Sequence, residues 1–343
     1  MAENLPAQRI KWVDFAKGFV IILMVLGHVI IYTSDLCKFI YVFHMPFFFV
    51  MAGFLLNLDK WGGVENYNAF VSKLVKRLLL PYYLAEFLWY PFFVIKENYF
   101  GHLMKIIFYE SPLESFFGIF IGKPTMLPLS PLWFLPCLLI GEIIFTKLYN
   151  RFEKLSIKIF IATIILAACA GFALSRFGYL LFGVNVALVS QIFLLAGVLI
   201  RKYEVVERMN LKIFGGFSFL LMFAFKFNQR VETSGAIFGE PFWFYAGAIA
   251  GSLVIMKLSA LMTDGKIFSL ISDCGRQSIM ILVLHPLIIE LLYNILVRNN
   301  FATLAEIYHL PIFIFLSTTT GVLIPLLIAK KFGRLPVLKN FCA

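Results

Sequence analysis

A chain of 343 residues that is 61% hydrophobic and 14% charged, with a mean hydropathy of +0.89, is a polytopic membrane protein rather than a soluble fold with one anchor. Its net charge of +11 points to cytoplasmic loops and an anionic membrane surface rather than to nucleic acid. Cys37, Cys137, Cys169, Cys274 and Cys342 have no metal-ligand spacing, so neither a metal site nor a disulfide framework is expected.

The first apolar stretch, Trp12 to Tyr32, is long enough to cross a bilayer, which takes about 20 residues. It carries three groups that a plain anchor would avoid: Asp14, Lys17 and His28. At about 100° per residue, the 11-residue step from Lys17 to His28 returns to one helical face, and Asp14 falls within about 40° of it. A charge facing lipid is costly, so this stripe is expected to face the interior.

Counting the first as 14–34, the remaining windows are 39–57, 78–96, 131–149, 157–175, 179–200, 211–228, 241–261, 277–297 and 310–329. With the N-terminus inside, the segments facing the cytoplasm hold 22 of the 30 lysines and arginines, which places both termini in the cytoplasm. Residues 103–122 form two short apolar pieces broken by Glu110, Pro112 and Glu114. If they spanned, every later loop would change sides. The stretch from about 100 to 127 is therefore expected to be an interfacial or re-entrant segment on the outer side. The expected fold class is an all-α polytopic transmembrane bundle of about ten spans, forming one membrane-embedded domain over 1–343, with no soluble domain of useful size at either end.

Within these windows His28 and His44 fall at matched depth, each roughly 8–9 Å below the outer boundary, on two spans joined by a tight turn. They read as a catalytic pair or as two histidines each bonded to a neighbouring helix. His285 is followed by Pro286, which frees a backbone carbonyl and marks a kink beside a cavity. Glu86 and Glu142 either pair with an interior cation or handle protons. Asn185 and Gln191 are expected to bond between helices. Lys73, Lys76 and Arg77 form a basic cluster at a helix entrance: ordinary inward-facing charge, or a seat for the phosphates of a cytosolic cofactor. There is no P-loop, no dinucleotide glycine fingerprint and no HExxH helix.

Several of these stretches together resemble one family, the integral membrane acyltransferase family 3, in its branch related to fucose 4-O-acetylases. Arg9, then Val13-Asp14-Phe15-Ala16-Lys17-Gly18, then Leu26-Gly27-His28 resembles its opening motif. Phe43-His44-Met45-Pro46-Phe47, continuing to Ala52-Gly53-Phe54, is similar to its His-x-Pro-x-Phe segment. Lys73 to Tyr82 resembles its basic segment ending in Pro-Tyr, Leu132-Trp133-Phe134-Leu135 its Trp-Phe-Leu motif, and Leu284-His285-Pro286 its late His-Pro element. The sequence departs from the pattern at Lys17, which keeps the charge but loses the bidentate fork of an arginine, and at Ala52, where the family often has serine.

The resemblance implies acyl transfer from cytosolic acyl-CoA, usually acetyl-CoA, to a hydroxyl on a sugar or glycan at the outer face of a bacterial inner membrane, without a metal. His28 is then expected as general base and His44 as an orienting, relaying or acceptor-binding group. Lys17, Lys73, Lys76 and Arg77 are expected to face CoA, and Asp14, Trp133 and His285 the acceptor. The competing class is a proton-coupled transporter or flippase of an envelope precursor, which ten spans with buried His and Glu would also suit.

Overall fold

The computed structural model describes residues 10–31, 33–61, 64–100, 111–153, 155–262, 264–298, 310–333 and 341. Among these the protein is all-helical, and its one β contact is an isolated bridge between Glu232 and Ile237. Eight helices are long and apolar enough to cross a membrane, or nine if one bent pair counts as a single span. This is an all-α polytopic bundle and a multi-pass membrane protein. Arg9 of the opening motif and residues 101–110 lie outside the described residues, as do Lys154, Arg334 and Lys339 of the inward-facing charge.

The helices run α1 Lys11–Val29, α2 Asp35–Leu55, α3 Val64–Leu74, α4 Leu80–Phe100, α5 Pro112–Ile121, α6 Phe134–Phe152, α7 Ile157–Ser175, α8 Val184–Val189, α9 Gln191–Lys202, α10 Leu211–Phe227, α11 Pro241–Leu261, α12 Lys266–Arg276, α13 Ser278–Arg298 and α14 Pro311–Phe332. Every expected window falls on one of these helices or on the α8–α9 pair, which bends by 51° at Ser190. Three boundaries differ in a way that matters. Helix α1 ends at Val29 because Ile30 is extended, and α2 already starts at Asp35. The third span begins near Asn66, since α3 runs into α4 through a π-helical turn, Val75–Leu79, that carries Lys76 and Arg77. Helix α5 has 10 residues, about 15 Å of rise and half of a bilayer core. It starts where the sequence looked broken: Ser111 and Glu114 form a reciprocal capping box and Pro112 occupies the first helical turn.

The chain divides into two compact units. The first comprises residues 1–40, 206–218 and 251–343. In it α1 crosses α12 at backbone contact: a Cβ on Gly18 would sit 1.8 Å from the Ile271 carbonyl oxygen, and one on Gly275 would sit 1.8 Å from that of Asp14. Each helix thus presents a glycine to the other's backbone, the small-residue solution that membrane helices use for close approach. Phe15 stacks on Phe268 at 5.0 Å beside this crossing. Helices α13 and α14 also pack against α1, nearer its C-terminal end, where Val29, Tyr293 and Phe313 form a small apolar cluster.

The second unit comprises residues 41–205 and 219–250. It repeats the same device, with Gly53 of α2 against the Leu194 carbonyl and Gly197 of α9 against that of Val50, at 2.1 and 2.0 Å from an added Cβ. Phe172, Phe193, Phe238, Phe244 and Tyr245 form an aromatic cluster with ring centroids 5.0–6.4 Å apart. Gln191 donates to the Gly141 carbonyl of α6 at 3.1 Å, bonding between helices beside the bend.

Candidate active site

The apolar run that makes α1 a membrane helix ends in Leu26-Gly27-His28-Val29, so His28 stands in the last helical turn. That turn is tied down from outside the helix: the Cys37 thiol donates to the Gly27 carbonyl at 3.7 Å. His28 keeps an exposed edge, although its neighbours Gly27 and Val29 are buried.

Helix α13 brings His285 to it. Nδ1 of His28 lies 2.8 Å from Nε2 of His285, and the two rings meet edge to edge and nearly coplanar, with centroids 5.1 Å apart and an interplanar angle of 11°. His285 is fully buried. Its Nδ1 is 2.8 Å from the Ile281 carbonyl, one turn earlier on the same helix. Gly321 of α14 makes room at this level, since an added Cβ would stand 3.2 Å from Val25 and 3.7 Å from the His285 Cβ. An imidazole with one nitrogen held and one edge exposed, inside a membrane helix bundle, is equipped to move a proton at a bound hydroxyl.

At the end of α1 opposite His28 the same unit holds a charge network. Asp14 is buried, and its carboxylate lies 3.9 Å from the Arg276 guanidinium. Asp273 accepts from Arg276, and also from Lys330 of α14 at 2.5 Å. Burial pushes the Asp273 carboxyl up, but Lys330 and Arg276 outweigh it and hold the group below the usual carboxylate range. The network thus joins α1, α12 and α14. Asp14 and Lys17 precede His28 on α1 by 14 and 11 residues, roughly 21 and 16 Å of helix rise, so they share its helix but not its immediate surroundings.

In the second unit His44 is buried on α2, with Tyr41 4.6 Å from its ring. It lies nine residues, about 13 Å, from the first residue of α2, whereas His28 is one residue from the end of α1. The described partner of His28 is His285, which sequence spacing had no means of bringing near.

The basic cluster sits within a helix rather than at its entrance. Lys73 ends the last turn of α3, and Lys76 and Arg77 ride the π-helical turn, a deviation that recurs at functional sites. Arg77 donates to Glu142 of α6, which is buried, while the Arg77 side chain remains 44% exposed. Lys73 and Lys60 both approach the Trp61 ring, at 5.4 and 4.9 Å. Lys73, Lys76 and Arg77 are all exposed, so this turn presents three cations.

Trp133 is buried in a short 3-10 turn before α6, its ring edge-on to Tyr179 at 5.9 Å. Close in sequence to that turn, the fully buried Glu86 accepts from the Leu129 amide at 3.2 Å with one oxygen, and its other oxygen has no hydrogen-bond partner among the described residues. The Tyr179 hydroxyl is likewise buried without one. The sequence reading singled out Glu86 but not Tyr179, which lies in a loop and carries no motif.

A family model described as an acyltransferase domain matches residues 10–330. The nodulation protein NolL of Mesorhizobium japonicum is 28% identical over 175 residues, covering 47% of this chain and 42% of that protein, so the match spans less than half of the relative's length. No solved structure matches the chain.

Proposed function

The chain belongs to the membrane acyltransferase family 3, and on that premise we propose that it moves an acyl group, acetyl by preference, from cytosolic acyl-CoA to a hydroxyl of a cell-envelope sugar or glycan. The observation that carries the reading is the exposed imidazole of His28 at the end of a membrane helix, held through its other nitrogen by His285. A thioester is already activated, so the protein has to position a hydroxyl and remove its proton. In this reading the acceptor oxygen attacks the thioester carbonyl while His28 takes the hydroxyl proton. The carbon–sulfur bond then breaks, and the proton passes from His28 to the leaving thiolate. The products are the O-acyl acceptor and free CoA.

Lys73, Lys76 and Arg77 supply the cations that the phosphates of CoA call for, with Lys17 as a further cation on α1. The buried Glu142 holds the Arg77 guanidinium without covering it. Orientation follows the charge count, with both termini inside, and the bacterial inner membrane is the matching location.

The test uses the purified protein in nanodiscs with radiolabelled acetyl-CoA and an envelope glycan extract. Transfer of label by the wild type, lost in His28→Ala while the variant still inserts and purifies, supports the reading. Transfer that survives in His28→Ala removes His28 from the mechanism. No CoA release and no transfer with varied extracts shifts the function to proton-coupled transport, with His28 as a proton carrier.

A further inference from the structure

We infer that His285 is a positioning residue that sets the tautomer of His28, leaving Nε2 of His28 as the unprotonated nitrogen that receives the acceptor proton. The inference rests on the proposed acyl transfer for its catalytic meaning; the tautomer itself follows from the hydrogen bonds alone.

A carbonyl oxygen only accepts, so the contact between His285 Nδ1 and the Ile281 oxygen requires a proton on Nδ1. An imidazolium here would be a fully buried charge whose described polar partners are one neutral carbonyl and another imidazole, and burying such a charge is costly. The neutral ring with its proton on Nδ1 has a lone pair on Nε2. The 2.8 Å contact to His28 is then a hydrogen bond donated by His28 Nδ1 and accepted by His285 Nε2. A neutral His28 with its proton on Nδ1 has its own lone pair on Nε2, the nitrogen not engaged by His285.

The consequence is directional. The Ile281 carbonyl on α13 fixes His285, His285 fixes His28, and the basic nitrogen is presented away from the pair. When Nε2 takes the proton of the attacking hydroxyl, Nδ1 keeps its own, and the His285 lone pair faces the imidazolium that forms. The proton then leaves from Nε2 to the departing thiolate, so each turnover returns the pair to its starting state. Without His285, His28 is free to place its proton on Nε2, where it cannot act as base. In a triad that depends on the same device, the wrong tautomer costs about 10⁴ in turnover.

Protein with ¹⁵N-labelled histidine, in nanodiscs near neutral pH, tests this without reference to activity. The chain has five histidines, and the His28 signals are assigned by their loss in His28→Gln. The expected spectrum has His28 protonated at Nδ1 and bare at Nε2, with the balance moving toward the Nε2-protonated form in His285→Leu. A wild-type His28 protonated at Nε2 overturns the assignment even if His285→Leu does not fold. A tautomer unchanged in a folded His285→Leu overturns the role of His285.

Kinetics with acetyl-CoA and the glycan extract supply the second arm. His285→Leu should lower kcat by roughly 10²–10³ with the acetyl-CoA KM within about threefold, a loss below that of the triad. His285→Gln, whose amide oxygen can accept from His28 Nδ1, should recover at least about tenfold of that loss. Equal kcat in the two variants would make the role one of packing. A tautomer as assigned in a protein that transfers nothing would leave the geometry intact and dispose of the acyl-transfer reading instead.

Discussion

Substituting Gly275 by alanine tests the helix crossing that carries His28. The new Cβ would start 1.8 Å from the Asp14 carbonyl oxygen and 2.8 Å from the Gly18 amide nitrogen. Real Cβ contacts do not fall below 3.0 Å, so α1 and α12 must separate by at least 1.2 Å. The obstacle is backbone, which cannot rotate away as a side chain would. Overpacking of this kind costs about 1–3 kcal/mol. Because α1 also carries His28, a displacement near 1 Å is expected to lower turnover by roughly 10²-fold. Thermal unfolding in nanodiscs reads the first effect and transfer from acetyl-CoA the second. Gly215→Ala is the internal control, since nothing lies within 4 Å of its added Cβ and Gly215 is exposed within α10. It should be neutral or stabilising, by up to about 1 kcal/mol. Gly18→Ala meets the Ile271 carbonyl at the same 1.8 Å, so the double variant should cost less than the sum of the singles. If Gly275→Ala melts with the wild type, the crossing is not as close as the structure has it, and the reasoning fails.

Arg77→Ala should raise the acetyl-CoA KM more than the acceptor KM and should also destabilise, because it strands the buried Glu142. Adding Glu142→Gln should restore stability but not the KM; recovery of both would make the pair purely structural. The Asp273 network gives a pH dependence of definite sign. Its folded carboxyl lies below the unfolded value of about 3.9, so its contribution is present above that pH and disappears as pH falls through the lower folded value. Wild type should therefore lose stability more steeply than Asp273→Asn on acidification below about pH 4, and equal slopes in acid melts would contradict the assignment. Gly321→Val should press on Val25 and the His285 level and reduce turnover while leaving acetyl-CoA affinity in place, as measured by equilibrium binding of labelled acetyl-CoA.

The sequence by itself determined the class and the elements. Runs of about 20 apolar residues can only be satisfied as helices in a bilayer, so composition and hydropathy placed the ten expected windows on helices, although α10, with 17 residues, is not among the eight or nine able to span. His28, Lys17 and Asp14 were legible as an interior stripe because a single helix has a known pitch. Of 103–122, residues 103–110 lie outside the described residues; the remainder is α5, whose start is set by a capping box at Ser111 and Glu114 that appears only when the helix start is seen.

Tertiary structure decided which residues meet. His28 and His44 lie on consecutive helices, and spacing favoured them; the partner of His28 is 257 residues away, and no local pattern reports a contact of that span. The same holds for Asp14 with Arg276 and for Arg77 with Glu142. Gly18 and Gly275 read as ordinary small residues until the two backbones are brought together. Periodicity states which way a side chain leaves its own helix, but what it meets there depends on helix packing, which is set by contacts between distant segments.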